Sequence, residues 1–181
     1  MLILVCGPSG GGKTTLIEYL HDNLFYNVID IYVYRGRNLR ASERFKPIYN
    51  ENLKTIFTNK YIYDDSSYYI NLPTLKDLEK SVYLLDYPGE YPSCPELKGI
   101  EWLGILVLPP NQKTLVKRLN NSNRSYRIKS AIAEYAECLE DIKKELFTPS
   151  KWQVYLSYNN RSLVQFAHSI SFHLSSKNEI L

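Results

Sequence analysis

The chain has 181 residues and a formal net charge of +3, with 44% hydrophobic and 23% charged residues, which fits one domain able to bury a sizeable core and excludes a disordered chain. That charge is too mild to imply nucleic-acid binding by itself, and phosphorylated small molecules suffice as partners. Cys6, Cys94 and Cys138 show no C-x-x-C spacing, which argues against a disulfide framework or a zinc site, and no apolar run approaches the length of a membrane span, so a cytoplasmic protein is expected.

Leu2-Ile3-Leu4-Val5-Cys6 reads as a buried strand, and it runs without a gap into Gly7-Pro8-Ser9-Gly10-Gly11-Gly12-Lys13-Thr14-Thr15. Gly7, Gly12, Lys13 and Thr14 carry the G-x-x-x-x-G-K-[ST] spacing of a phosphate-binding loop. Glycines let backbone N–H groups turn inward on phosphate oxygens, a concavity that a Cβ would obstruct. In this reading residues Gly7 to Thr15 hold phosphate oxygens, Lys13 reaches the β- and γ-phosphates, and the Thr14 hydroxyl ligates Mg²⁺. The helix predicted over Lys13 to Leu24 points its positive end at the same anion.

Val28 to Val33 is β-branched and apolar enough for a second buried strand. Arg35, Arg37, Arg40 and Arg44 crowd behind it, either as a second anion site, since the guanidinium fork matches phosphate oxygens two at a time, or as a solvated basic loop. Residues 50 to 73 hold a short helical pattern (Leu53, Ile56, Phe57) and a tyrosine-rich run, Tyr61 to Tyr69, that alternates too loosely for a core strand. They read as an inserted subdomain. Thr74 to Glu79 is a short helix, and Val82 to Leu85 an apolar strand ending in Asp86, either an acid that orients Mg²⁺ beside the phosphate loop or a turn former before Pro88-Gly89.

Ile105 to Leu108 is a further strand, stopped by Pro109-Pro110. Thr114 to Leu119 is a helix, and Asn120 to Arg127 a polar, flexible break that suggests a lid. A long helix follows over Ile128 to Leu146 with Ala131, Ile132, Tyr135, Leu139 and Ile142 on one face. Trp152 to Ser157 is the last strand, and Leu163 to Leu174 a closing helix with Ser162 as its N-cap. His21, His168 and His173 have no partner that suggests catalysis. Strands alternating with helices imply an α/β fold with a mostly parallel sheet and the ligand at the carboxyl ends of the strands.

In this order the motifs resemble the guanylate kinase family of nucleoside monophosphate kinases over nearly the whole chain. The loop from Gly7 to Lys13 is similar to that family's own. Leu108-Pro109-Pro110 with Leu115 and Arg118-Leu119 resembles its strand, double proline and approach to the lid, and Asn159-Asn160 resembles the turn that flanks adenine. Arg37-x-x-Arg40-x-x-Glu43, followed by Tyr49, matches its spacing around the acceptor's phosphate, and Tyr68-Tyr69 its paired tyrosines.

The resemblance implies a three-layer P-loop NTPase fold in a single domain, 1–181, with a core of 1–33, 74–119 and 147–181, an acceptor-binding insertion at about 34–73 and a helical lid at about 120–130. It implies an ATP-dependent phosphotransferase with Mg²⁺ held by Thr14 and Asp86, ATP by the loop with Asn159 and Asn160, and the acceptor by Arg37, Arg40, Glu43, Tyr49, Tyr69 and Asp86. Lys13, Arg118, Arg124 and Arg127 would neutralise charge on the transferring phosphoryl group.

The departures fall where the family reads guanine. Val33 stands in place of a serine, Lys60 to Ile62 in place of the base-reading glutamate unless Asp64 or Asp65 replaces it, and Ile70-Asn71 in place of a glycine and a hydroxyl residue. Of two strand-end acids only Asp86 is kept, with Pro88 at the second position. The expected acceptor is therefore a nucleoside monophosphate other than GMP or a sugar phosphate, and the related sugar-bisphosphate kinases also lack the guanine-reading set. A nucleotide switch is the competing reading, from the D-x-x-G pattern of Asp86-Tyr87-Pro88-Gly89, but no N-K-x-D motif accompanies it. A third, a binding module without catalysis, is weakened by the presence of Lys13, Thr14 and Asp86.

Overall fold

The computed structural model describes residues 1–34, 46–47, 59–63, 66–87, 99–149 and 151–178. In chain order the elements are β1 (Leu2–Cys6), α1 (Lys13–Leu24), β2 (Asn27–Val28), β3 (Ile31–Tyr34), β4 (Lys46–Pro47), β5 (Asn59–Tyr63), β6 (Ser66–Ile70), α2 (Leu75–Lys80), β7 (Tyr83–Asp86), β8 (Trp102–Leu108), α3 (Gln112–Asn121), a 3₁₀ turn (Ser125–Arg127), α4 (Ile128–Lys143), β9 (Trp152–Leu156) and α5 (Asn160–Asn178). β1 is apolar and buried at every position, as befits the middle strand of a sheet covered on both faces. The five-stranded sheet has the order β2-β7-β1-β8-β9, with β2 parallel to β7 and β8 parallel to β9. This is the mostly parallel α/β sheet that the alternation of elements predicts. No helix among the described residues is long and apolar enough to cross a membrane.

The chain forms two compact units, Val5–Tyr26 with Leu103–Leu181, and Met1–Leu4 with Asn27–Trp102. In the first, α1 buries Leu16, Ile17 and Leu20 at helical spacing, and α5 does the same with Leu163, Ala167, Ile170 and Leu174. Leu115 and Leu119 of α3 and Ala131 of α4 make a separate cluster with Ile128, Ile132 and Tyr135 packed around it. The buried stripe of α4 continues through Cys138 and not through Leu139, which is 37% exposed. A stripe stepping from Ala131 through Tyr135 to Cys138 advances by four and then three residues, and Leu139 lies one position past it.

Asn120 to Arg127 contains regular hydrogen bonds: α3 runs on to Asn121, the Arg124 amide donates to Leu119 O (2.8 Å) and the Arg127 amide to Arg124 O (2.9 Å). The cap of α5 also differs from expectation. Asn159 Oδ1 accepts the Ser162 amide (3.0 Å) while Ser162 Oγ accepts the Asn159 amide (3.1 Å), so Asn159 is the cap and Ser162 its reciprocal partner one turn in.

In the second unit, the predicted strand Val28 to Val33 divides between two sheets. Asn27 and Val28 pair with Tyr83 and Leu84, and the Ile29 amide still donates to Leu84 O (2.9 Å). After Asp30 the chain changes partner, and Ile31 to Tyr34 run antiparallel to β6 in a four-stranded sheet of order β4-β3-β6-β5. Apolar patterning marks burial and cannot show a change of partner, so the two strands read as one. The tyrosine-rich run forms β5 and β6, an antiparallel pair in which Tyr61 stands opposite Tyr68 and Lys60 opposite Tyr69. Aromatic residues favour extended backbone, so such a run can form strands even where strict alternation is missing. α2 starts at a capping box, with Thr74 Oγ1 accepting the Asp77 amide and Asp77 Oδ2 accepting the Thr74 amide (3.0 Å); the Thr74 hydroxyl, which donates to Asp77 Oδ2 (2.6 Å), and then the Thr74 amide hold the Asp77 carboxyl below its ordinary range.

Candidate functional site

The candidate site is the loop between β1 and α1. Gly7 takes φ +130°, and a Cβ there would stand 2.2 Å from the Val107 carbonyl oxygen of β8, closer than any real contact allows. Gly12, the residue before α1, takes φ +111° with Ser157 Oγ 3.1 Å from where its Cβ would be. Both positions therefore need glycine for conformation and for room. Lys13, the first residue of α1, folds back over the loop and donates from Nζ to Gly7 O (2.7 Å) and Pro8 O (3.3 Å). Thr14 and Thr15 are exposed in the first turn of α1, which carries no acidic residue. A helix start with free polar side chains and no carboxylate of its own suits an incoming anion.

Arg118 of α3 is the brace of the loop. Its Nη1 donates to Gly11 O (3.1 Å), Ser157 Oγ (2.8 Å) and, at longer reach, Gly10 O (3.4 Å), while Nη2 donates to Ser157 O. Burial lowers the Arg118 guanidinium from its ordinary range, with the Tyr155 side chain acting in the opposite sense. Ser157, buried just beyond β9, has its Oγ within hydrogen-bond distance of both Gly11 O (2.5 Å) and Leu108 O (3.0 Å). In a trans peptide C=O and N–H point oppositely, so fixing the Gly11 carbonyl on Arg118 and Ser157 turns the Gly12 N–H away from them.

Arg127 comes to the loop through Glu134 of α4. Arg127 Nη2 donates to Glu134 Oε1 (3.2 Å), and Glu134 Oε2 accepts the Ser9 amide of the loop (2.9 Å). Arg124 instead donates from Nε to Ser122 Oγ within its own turn (3.4 Å). Of the arginines expected to serve phosphate, Arg118 and Arg127 are thus tied to the loop, and Arg124 is tied to its own turn. Asn159 uses its side-chain oxygen in the α5 cap, and Asn160 is exposed at the first position of that helix.

On the acceptor side, Arg37, Arg40, Glu43 and Tyr49 lie outside the described residues, as do Arg35, Arg44, the helical pattern of 50–58, Asp64, Asp65 and the Pro88-Gly89-Glu90 turn. Tyr69 is buried on β6 opposite Tyr32, and Asp86 is half-buried at the end of β7. Val33 and Ile70 are both buried apolar core, at 2% and 0% exposure. Among the described residues no group of three His, Cys, Asp or Glu gathers to hold a metal. His21 Nδ1 is 2.8 Å from Tyr26 O and His168 is exposed.

Sequence reading passed over Ser157 and Glu134. A serine closing a strand and a glutamate on a helix have no motif; only burial of the first and the reach of the second reveal them.

No family model matches the chain, and no curated protein matches it. Among solved structures it is similar to guanylate kinase from Anaplasma phagocytophilum, with a TM-score of 0.59 and 17% sequence identity over 98% of this chain and 85% of that one. A likeness at that identity speaks to architecture: the chain has the α/β P-loop fold of the guanylate kinases.

Proposed function

We propose that this protein is an ATP-dependent phosphotransferase that moves the γ-phosphate of ATP to a small phosphorylated acceptor other than GMP, a nucleoside monophosphate or a sugar phosphate. The observation that carries the reading is the loop itself, where Lys13 and two braced arginines surround a glycine turn built without room for a side chain. Lys13 would leave the carbonyls of Gly7 and Pro8 for the β- and γ-phosphates, and Arg127 would offset charge on the transferring group. Arg118 holds the loop in shape and adds positive potential beneath it, and Arg124 is the further lid cation. A loose transition state leaves little covalent work for the protein, so positioning and charge stabilisation are its contribution. Mg²⁺ bound with ATP supplies charge neutralisation at the bridging oxygens, and Thr14 and Asp86 are the residues that would hold it.

Arg37, Arg40, Glu43 and Tyr49 are assigned to the phosphate of the acceptor, and Tyr69 and Asp86 are its further binding residues. Val33 and Ile70 argue against GMP, because they offer its base edge no hydrogen-bond partner and are sealed in the core. A coupled assay with ATP·Mg²⁺ and a panel of phosphorylated acceptors tests this: turnover should be poor on GMP and better on another monophosphate or on a sugar phosphate. Efficient, selective turnover of GMP would overturn the acceptor assignment, and failure of every acceptor together with failure to bind ATP would overturn the whole reading.

A further inference from the structure

The Ser9 amide belongs to the same glycine loop as the phosphate donors, yet it is taken by a carboxylate. Glu134 reaches it from α4, 125 residues away in sequence, with Oε2 at 2.9 Å, and its other oxygen holds Arg127 at 3.2 Å. The pair is mostly shielded, each side chain being 23% exposed. Arg127 is poorly used in this arrangement. Its buried Nε has no hydrogen-bond partner, although a guanidinium presents its donors as a fork suited to phosphate oxygens. An unpaired buried donor is costly, so the guanidinium stands to gain from a second acceptor.

We propose that Glu134 is the resting counter-anion of the phosphate loop: its carboxylate occupies Ser9 N–H and Arg127 in the nucleotide-free protein, and a phosphate group of the nucleotide displaces it from both. The chemistry of exchange is like for like. A carboxylate and a phosphate both present a pair of anionic oxygens to a guanidinium and a backbone amide, and the tetrahedral phosphate brings more charge and a further oxygen, which can also accept from Arg127 Nε. The carboxylate keeps the loop and the arginine in their working positions before ligand arrives, at the expense of affinity. Glu134 is thus a positioning residue that competes with the ligand it prepares for.

The inference rests on the reading of this loop as a nucleotide site, and calorimetric titration of the full chain with ATP·Mg²⁺ and with inorganic pyrophosphate separates the two. Glu134→Gln removes the charge facing Arg127 but still offers an oxygen to Ser9, whereas Glu134→Ala releases both. Affinity for both probes should therefore rise from wild type to Gln to Ala, by roughly tenfold over the series. In an Arg127→Ala background the Gln substitution should lose most of its effect, because the charge it removes no longer holds an arginine. Melting of each variant without ligand checks that the fold is intact. If wild type and variants bind ATP equally, or the variants bind it less well, Glu134 is only a support for Arg127 and the counter-anion proposal fails alone. If none of the proteins binds either probe, the nucleotide reading fails with it.

Discussion

Replacing Arg118 by alanine separates a brace from a purely ligand-facing cation. The guanidinium donates to Gly11 O, Ser157 Oγ and Ser157 O, with a long contact to Gly10 O. A hydrogen bond from a charged donor is worth about 1.5–3 kcal/mol net. Gly11 O would keep its contact with Ser157 Oγ at 2.5 Å, so its loss is partial, and Arg118 is half-exposed, which lets water replace part of the rest. The net loss is then about 2–4 kcal/mol, or roughly 5–15 °C in melting temperature for a domain of this size. Calorimetric melting without any ligand is the assay. Arg118→Lys should recover less than half of the loss, since one ammonium cannot fork between the Gly11 carbonyl and Ser157. An unliganded melting temperature within about 2 °C of wild type, alongside lost phosphoryl transfer, would refute the brace and return Arg118 to the transition state alone.

Lys13→Ala should abolish phosphoryl transfer, by a factor of about 100 or more, while the unliganded melting temperature moves little, because Nζ bonds only half-buried loop carbonyls; retained turnover removes the loop from the mechanism. Gly7→Ala should cost several kcal/mol, about 3 or more, since its Cβ would stand 2.2 Å from the Val107 carbonyl at φ +130°; a urea melt indistinguishable from wild type would show that the loop is not packed on β8. Burial first, then Asp141 and Glu137, push the Cys138 thiol up to about 11, so native Cys138 should be alkylated roughly a hundredfold more slowly at neutral pH than in the unfolded chain. The sign follows from the neutral form being favoured by the fold: this contribution is whole below the ordinary thiol range near 9.0 and is lost as pH rises towards 11. Equal alkylation rates by residue-resolved mass spectrometry would contradict it.

What could be read ahead of the structure, and what could not, divides along a physical line. The strand Leu2 to Cys6, the loop and the helix Lys13–Leu24 were all legible, because apolar run, glycine spacing and helical stripe are local properties of one segment. The strand Ile105 to Leu108 and the short helix that starts at Thr74 were legible for the same reason. The break at Asp30 was not, since Val28 and Ile31 have the same apolar character while pairing in different sheets. Leu139 misled because several helical stripes can be drawn through α4, and only its packing partners choose among them.

The site follows the same division, one level up. The proposed phosphate binding by backbone amides depends on what the chain lacks, a Cβ at Gly7 and Gly12, and an absent side chain is visible in a sequence. The cations that tune the loop are visible as residue types, but their assignments are not: Arg118, Arg124 and Arg127 lie within ten positions, and only contacts separate a brace on Ser157 from an arginine held by Glu134 and one turned to Ser122. Ser157 and Glu134 carry no signal of their own because each acts by reaching another segment, over 146 and 125 residues respectively. A spacing motif can therefore locate an anion site while leaving open how tightly it holds its ligand. That is set by the distant groups that brace the loop, as Ser157 does, or compete for it, as Glu134 does, so variation at these two positions should change affinity in chains whose loop residues are identical.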